Sequence, residues 1–172
     1  MTLKLAAPAA WRAAGVAALI SLLGAAPALA GPPWISIEYP VNPYDASMRG
    51  AFLLVHAFHH GTPRQFPIEG TAEGIVNGER RSVKLEFTAT SRAGVYALKQ
   101  LWPAEGTWTL VIRASQAPND AATAVVELAA DGQIASVRVP TRREGGWTVP
   151  AAVSLGDIEA GLRTRAGLAR RS

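Results

Sequence analysis

The sequence predicts an all-β domain, an antiparallel β-sandwich of seven to eight strands, and three observations predict it. Short runs rich in β-branched and aromatic residues recur from Trp34 to Val139, divided at fairly even intervals by Gly, Pro, Asn and Asp. That spacing belongs to sandwiches and barrels rather than to βαβ units. Two of the dividers, Asn77-Gly78 and Asp131-Gly132, are the dipeptides of tight hairpins, where the central residues must take positive φ. Within several runs apolar and polar residues alternate with period two, as half-buried strands require.

The elements follow in order. Lys4 and Arg12 precede an apolar segment, Ala13 to Ala26, and Pro27 with Ala28-Leu29-Ala30 supplies the small-x-small pattern of a cleavage site. Residues 1–30 are therefore read as a signal-peptide helix, with the mature chain starting at Gly31. The apolar segment falls short of the about 20 residues of a membrane span. No cysteine follows it and no Arg-Arg pair precedes it, which excludes a lipoprotein anchor and disfavours twin-arginine export. The sandwich domain is placed at 31–140. Ile35, Ile37 and Tyr39 alternate with Trp34, Ser36 and Glu38, and Gly50 to His60 forms a longer apolar run. Asn77-Gly78 ties Glu69–Val76 to Arg80–Ala89, with Val83, Leu85 and Phe87 inward and Lys84, Glu86 and Thr88 outward. Val95 to Trp102, Thr107 to Ala114, Ala122 to Leu128 and Ile134 to Val139 complete the set.

Residues 141–172 read as a basic, Gly-rich C-terminal tail. Ser154 can cap a short helix within 154–170 that carries Leu155, Ile158 and Leu162 on one face. Gly156, Gly161 and Gly167 each weaken it by roughly 1 kcal/mol relative to Ala. A flexible, solvated tail is expected, with contact to an anionic membrane surface as the sharper alternative.

The formal net charge is +4, but the excess lies in the leader and the tail. Between Gly31 and Pro140 nine basic residues face ten acidic ones. A domain so balanced lacks the positive footprint that phosphate backbones require, so nucleic acid is excluded as an expected partner. With no cysteine in the chain, disulfides cannot support an exported domain, and its hydrophobic core must do so alone.

Chemistry-bearing residues are few. All three histidines fall in one stretch, as His56, His59 and His60, which raises a metal site. On a strand, His56 and His60 share a face but lie about 13 Å apart, and His59 points the other way. Metal–nitrogen bonds of about 2 Å cannot span that, so one ion can use only one or two of them unless the segment is helical. No Gly-x-Ser-x-Gly elbow exists, and any serine triad drawn from these residues is arbitrary. Glu69, Glu73, Glu79 and Glu86 flank or alternate along a hairpin, as a solvated strand face does, rather than forming a glycosidase pair. Among the tryptophans, Trp108 sits on the inward parity and Trp34 is also assigned to the core. Trp102, beside a turn, and Trp147, in the tail, are the candidates for surface recognition. Tyr96, Trp108, Leu110 and Phe87 are the expected core.

Gly94-Val95-Tyr96-Ala97 followed by Gly106-Thr107-Trp108-Thr109-Leu110-Val111 resembles the final hairpin of YtkA-like and FixH-like exported bacterial modules. These are similar to carboxypeptidase regulatory-like immunoglobulin sandwiches. The resemblance implies an immunoglobulin-like fold and a non-catalytic module of the cell envelope without a cofactor, sometimes found near copper-handling systems. The periplasmic copper carriers are similar in fold, but this chain has no histidine at the expected mature N-terminus and only Met48 as an internal methionine. The functional expectation is a periplasmic or secreted module that binds a protein partner or serves a structural role. Membrane contact is expected only through the signal segment or the basic tail. The alternative is a copper or zinc carrier using His56, His59 and His60. A small envelope hydrolase is a third class, without a nameable nucleophile–base pair.

Overall fold

The computed structural model describes residues 31–169; the expected signal-peptide helix lies outside the described residues. The strands are β1 (Trp34–Glu38), β2 (Leu53–His59), β3 (Thr62–Pro63), β4 (Ile68–Val76), β5 (Glu79–Lys84), β6 (Phe87–Ala89), β7 (Val95–Leu98), β8 (Thr107–Ala117), β9 (Asp120–Leu128), β10 (Ile134–Arg138), β11 (Thr141–Glu144) and β12 (Trp147–Pro150). One helix, α1 (Leu155–Ala169), ends the described chain. One five-stranded sheet runs β1-β2-β7-β6, with β3 beside β2; the other runs β10-β9-β8-β4-β5. A separate hairpin joins β11 and β12. Every ladder is antiparallel. The all-β sandwich is thus the observed fold, and residues from Gly31 onward form a compact unit.

The strand count exceeds seven to eight because β3 and the β11–β12 hairpin are added and one expected arm is divided in two. The expected single arm Arg80–Ala89 crosses from one sheet to the other at Leu85-Glu86, so β5 pairs with β4 while β6 pairs with β7. Its alternation survives the crossing. Leu85 is buried, with Val83 and Phe87 packed against the same core, and the Leu85 amide bonds to the Gly70 carbonyl at 3.0 Å. Between the sheets, Leu53, Val55 and Ala57 of β2 meet Trp108, Leu110 and Ile112 of β8 in one core. Gly74 stands opposite Trp108 in the β4–β8 register, and a Cβ there would lie 2.3 Å from the indole. The bare backbone of Gly74 is what lets the ring lie across the strand.

Each outer face carries a cover. On the first sheet Leu54 and Val95 pack with Met48 from the loop before β2. On the second, Ile158 and Leu162 of α1 pack on Val125, with Ile75, Val111 and Val153 around them. The C-terminal segment is therefore not a solvated tail. Ser154 caps the helix as expected, accepting from the Asp157 amide at 3.1 Å and donating to its carboxylate at 2.7 Å. The buried stripe is Ile158, Leu162 and Ala166, whereas Leu155 is 73% exposed. Spacing of four residues keeps those three on one side of a helix.

Polar bonds latch α1 to the sheet. Arg80 reaches Glu73 of β4 and Glu159 of α1, both at 2.7 Å. Burial alone would raise the Glu73 carboxyl, but hydrogen bonds from Thr71, Ser82 and Arg80 hold it below its ordinary range. Arg165 donates to the carbonyls of Trp108 and Leu128 at 3.2 and 3.0 Å, and to the Thr109 hydroxyl. Burial lowers the pKa of its guanidinium, partly offset by nearby Glu127.

Candidate functional site

The three histidines lie at one end of the first sheet, and the fold divides them. Odd positions of β2 face the core, as burial of Leu53, Val55 and Ala57 shows, so His56 faces outward. Its register partner on β1 is Ser36, which makes Glu38 a diagonal neighbour on the same face. His56 Nε2 donates to the Glu38 carboxylate at 2.7 Å, and Arg92 reaches the same oxygen at 3.3 Å. Beside this trio a shallow cleft of about 350 Å³ is lined by His56, Phe58, Gly61, Pro63, Arg92 and Gly94, among others.

His59 closes β2 on the opposite parity. Its Nε2 donates to the Gly31 carbonyl at 2.6 Å. His60 follows at the first position of the two-residue turn between β2 and β3, since His59 pairs with Thr62. Both turn residues have positive φ, His60 at 48° and Gly61 at 74°, the requirement of a type I′ hairpin. The His59 and His60 rings stand edge to face with centroids 4.2 Å apart. Of the three candidate ligands, His59 and His60 therefore stand together, while pleating and the Glu38 contact hold His56 apart from them. Among the described residues no three His, Cys, Asp or Glu side chains gather as a metal cluster.

The tryptophans separate sharply. Trp102 is 4% exposed and meets Phe52 edge-on at 5.2 Å, which corrects its assignment to surface recognition. The indole joins the main core cluster, with Phe52 packed against that cluster. Trp147 is 77% exposed, one residue after the Gly145-Gly146 turn of the β11–β12 hairpin. Trp108 and Leu110 are core, with the indole Nε1 donating to the Glu105 carbonyl at 2.8 Å. Phe87 and Tyr96 are half-buried against that core. The Tyr96 hydroxyl donates to the Phe66 carbonyl at 2.8 Å, and burial pushes its pKa up.

Three of the four hairpin carboxylates are engaged in structural pairs. Glu69 meets Arg113 at 3.0 Å, Glu73 meets Arg80 at 2.7 Å and Glu79 meets Arg81 at 2.6 Å. Glu38 and Arg92 carry no site signal in the sequence, and Gly31 stands out there only as the expected first residue of the mature chain. Their roles depend on the β1–β2 register and on the approach of the β6–β7 turn, neither of which has a local signal. Among the described residues no helix is long and apolar enough to cross a membrane. The chain matches no family model, no curated protein and no solved structure.

Proposed function

We propose that this chain is a non-catalytic, exported module of the cell envelope that binds a protein partner through the β11–β12 hairpin. The observation that carries this reading is Trp147. It is a large aromatic side chain, 77% exposed, on a hairpin that pairs with neither sheet. Exposed aromatics and arginines are the residues that anchor protein interfaces; Trp147 stands opposite Glu144 in the β11–β12 register, with Arg142 bonded to that carboxylate and Arg143 next along β11. Export rests on the leader pattern of residues 1–30, and the kinship with YtkA-like and FixH-like modules on the Gly94–Ala97 and Gly106–Val111 sequence motif, whose two strands lie in different sheets rather than in the hairpin that the resemblance implied.

The test is a photo-crosslinking residue placed at position 147 and, separately, at exposed Thr88 of β6, in the native envelope. A partner captured from position 147, lost in Arg142→Ala/Arg143→Ala and absent from position 88, supports the reading. Equal capture from both positions, or none from 147, removes it. A second reading, metal binding by His59 and His60, is favoured by their 4.2 Å ring separation and is taken up next.

A further inference from the structure

We infer that removal of the leader completes a nitrogen-rich site for a divalent transition-metal ion, formed by the new α-amine of Gly31 with His59 and His60. The inference rests on the export reading in one respect, cleavage between Ala30 and Gly31. In that step one water hydrolyses the peptide bond, leaving a carboxylate on Ala30 and an amine on Gly31.

The fold brings Gly31 up to the histidines. β1 pairs antiparallel with β2 from Trp34 opposite Phe58, so the chain preceding Trp34 runs back past His59 and His60. Pro33 is fully buried, which pins that approach. The Gly31 carbonyl already lies 2.6 Å from His59 Nε2. A Cβ built on Gly31 would sit 3.2 Å from His60 Cε1 and 3.5 Å from its Nε2. Two donors on one ion at about 2 Å each are separated by about 3 Å, and the Gly31 carbonyl oxygen already stands at that range from His59 Nε2. Ion uptake replaces the His59–Gly31 hydrogen bond with bonds to the metal.

Two features of the sequence suit this use. Pro32 has no N–H, so backbone amide ligation cannot continue past the first residue and the terminus offers only its amine and carbonyl. His60 occupies a left-handed turn position, φ 48°, where Asn is the preferred residue. At the equivalent turn between β4 and β5 the chain does use Asn77-Gly78, with φ of 52° and 85°. Two imidazoles and an amine favour Cu(II) over Zn(II) among divalent ions.

The experiment uses protein released from a fusion so that Gly31 is its first residue, titrated with Cu(II) alone and followed by calorimetry and electron paramagnetic resonance. One equivalent is expected, with coupling to nitrogen donors. Retaining Ala30 ahead of Gly31, or His60→Asn, should weaken binding by at least roughly tenfold, while His56→Ala leaves it unchanged. His60→Asn keeps the turn, so unchanged circular dichroism separates loss of a ligand from loss of fold. Equal affinity with the amine blocked, no binding above buffer, or loss in His56→Ala would overturn the site. Intact mass of the exported protein tests the other half. A mature chain starting elsewhere overturns the inference even if the prepared protein binds copper, whereas failed titration of a chain starting at Gly31 leaves export standing.

Discussion

Replacing Leu162 by Ala separates a docked helix from a solvated tail more cleanly than any other change. Leu162 has no exposed surface and lies in a cluster with Ile158 and Val125, bordered by Ile75, Val111 and Val153. The substitution deletes three carbons, worth roughly 2.4 kcal/mol at about 0.8 kcal/mol per buried methylene. A residual cavity adds to this, but α1 rides on the outside of the sheet and can settle toward the gap. The expected loss is therefore about 3 kcal/mol, below the upper end of about 5 kcal/mol seen in rigid cores. For a domain of this size that is a fall in Tm of roughly 6–12 °C. Urea unfolding of the chain from Gly31 onward measures it directly. Leu155→Ala is the internal control, since Leu155 is 73% exposed and its loss should stay within about 0.5 kcal/mol. A Leu162→Ala loss no larger than the control would refute the docked helix.

The other predictions concern the core, the latch and the tryptophans. Gly74→Ala puts a methyl 2.3 Å from the Trp108 ring and should cost about 1–3 kcal/mol; an unchanged urea midpoint and unchanged Trp fluorescence would contradict that packing. The folded Glu73 carboxyl titrates below its ordinary value of 4.5, so its stabilisation is complete above that pH and fades as pH falls through the lower folded value. Glu73→Gln should lower stability at neutral pH and flatten its decline below about pH 4.5, and urea midpoints that fall in parallel for both proteins would contradict this. Trp102→Ala should lose about 3–5 kcal/mol as a core truncation, whereas Trp147→Ala stays within about 0.5 kcal/mol. Thermal melts of the two variants decide it, and similar values would contradict the burial assignment.

Much of the fold was legible because alternation and turn chemistry act locally. Ile35 and Ile37, or Trp108 and Leu110, declare the inward face of a strand wherever that strand ends up. What alternation cannot say is which sheet a strand joins. Val83, Leu85 and Phe87 keep one unbroken inward pattern while the chain passes between sheets, so the crossing leaves no mark. Trp102 misleads for a similar reason: its neighbours in sequence form a turn, and its burial comes from Phe52, fifty residues away. The docking of α1 did leave a mark. Ala121 to Val126 contains only apolar residues apart from Thr123, and a strand apolar on both parities is covered on both faces. That second face needs an occupant, and the stripe of Ile158, Leu162 and Ala166 is the one the chain supplies.

Turn chemistry also carries the functional argument, because it shows where the chain departs from its own rules. Three hairpins turn on two residues of positive φ: His60-Gly61, Asn77-Gly78 and Gly145-Gly146. Two of them use residues that tolerate the left-handed region; the third places an imidazole there. Local rules broken without a compensating core contact mark candidate functional positions, and His60 is exposed, its ring meeting His59 rather than the core. His60→Asn should therefore leave the fold equally stable or raise its stability by up to about 1 kcal/mol, measured by urea unfolding without metal. A clear loss would mean that the ring is a structural element of the turn. A gain would mean that the chain keeps a less stable residue at the one turn that faces Gly31, where an imidazole can serve as a ligand and an asparagine cannot.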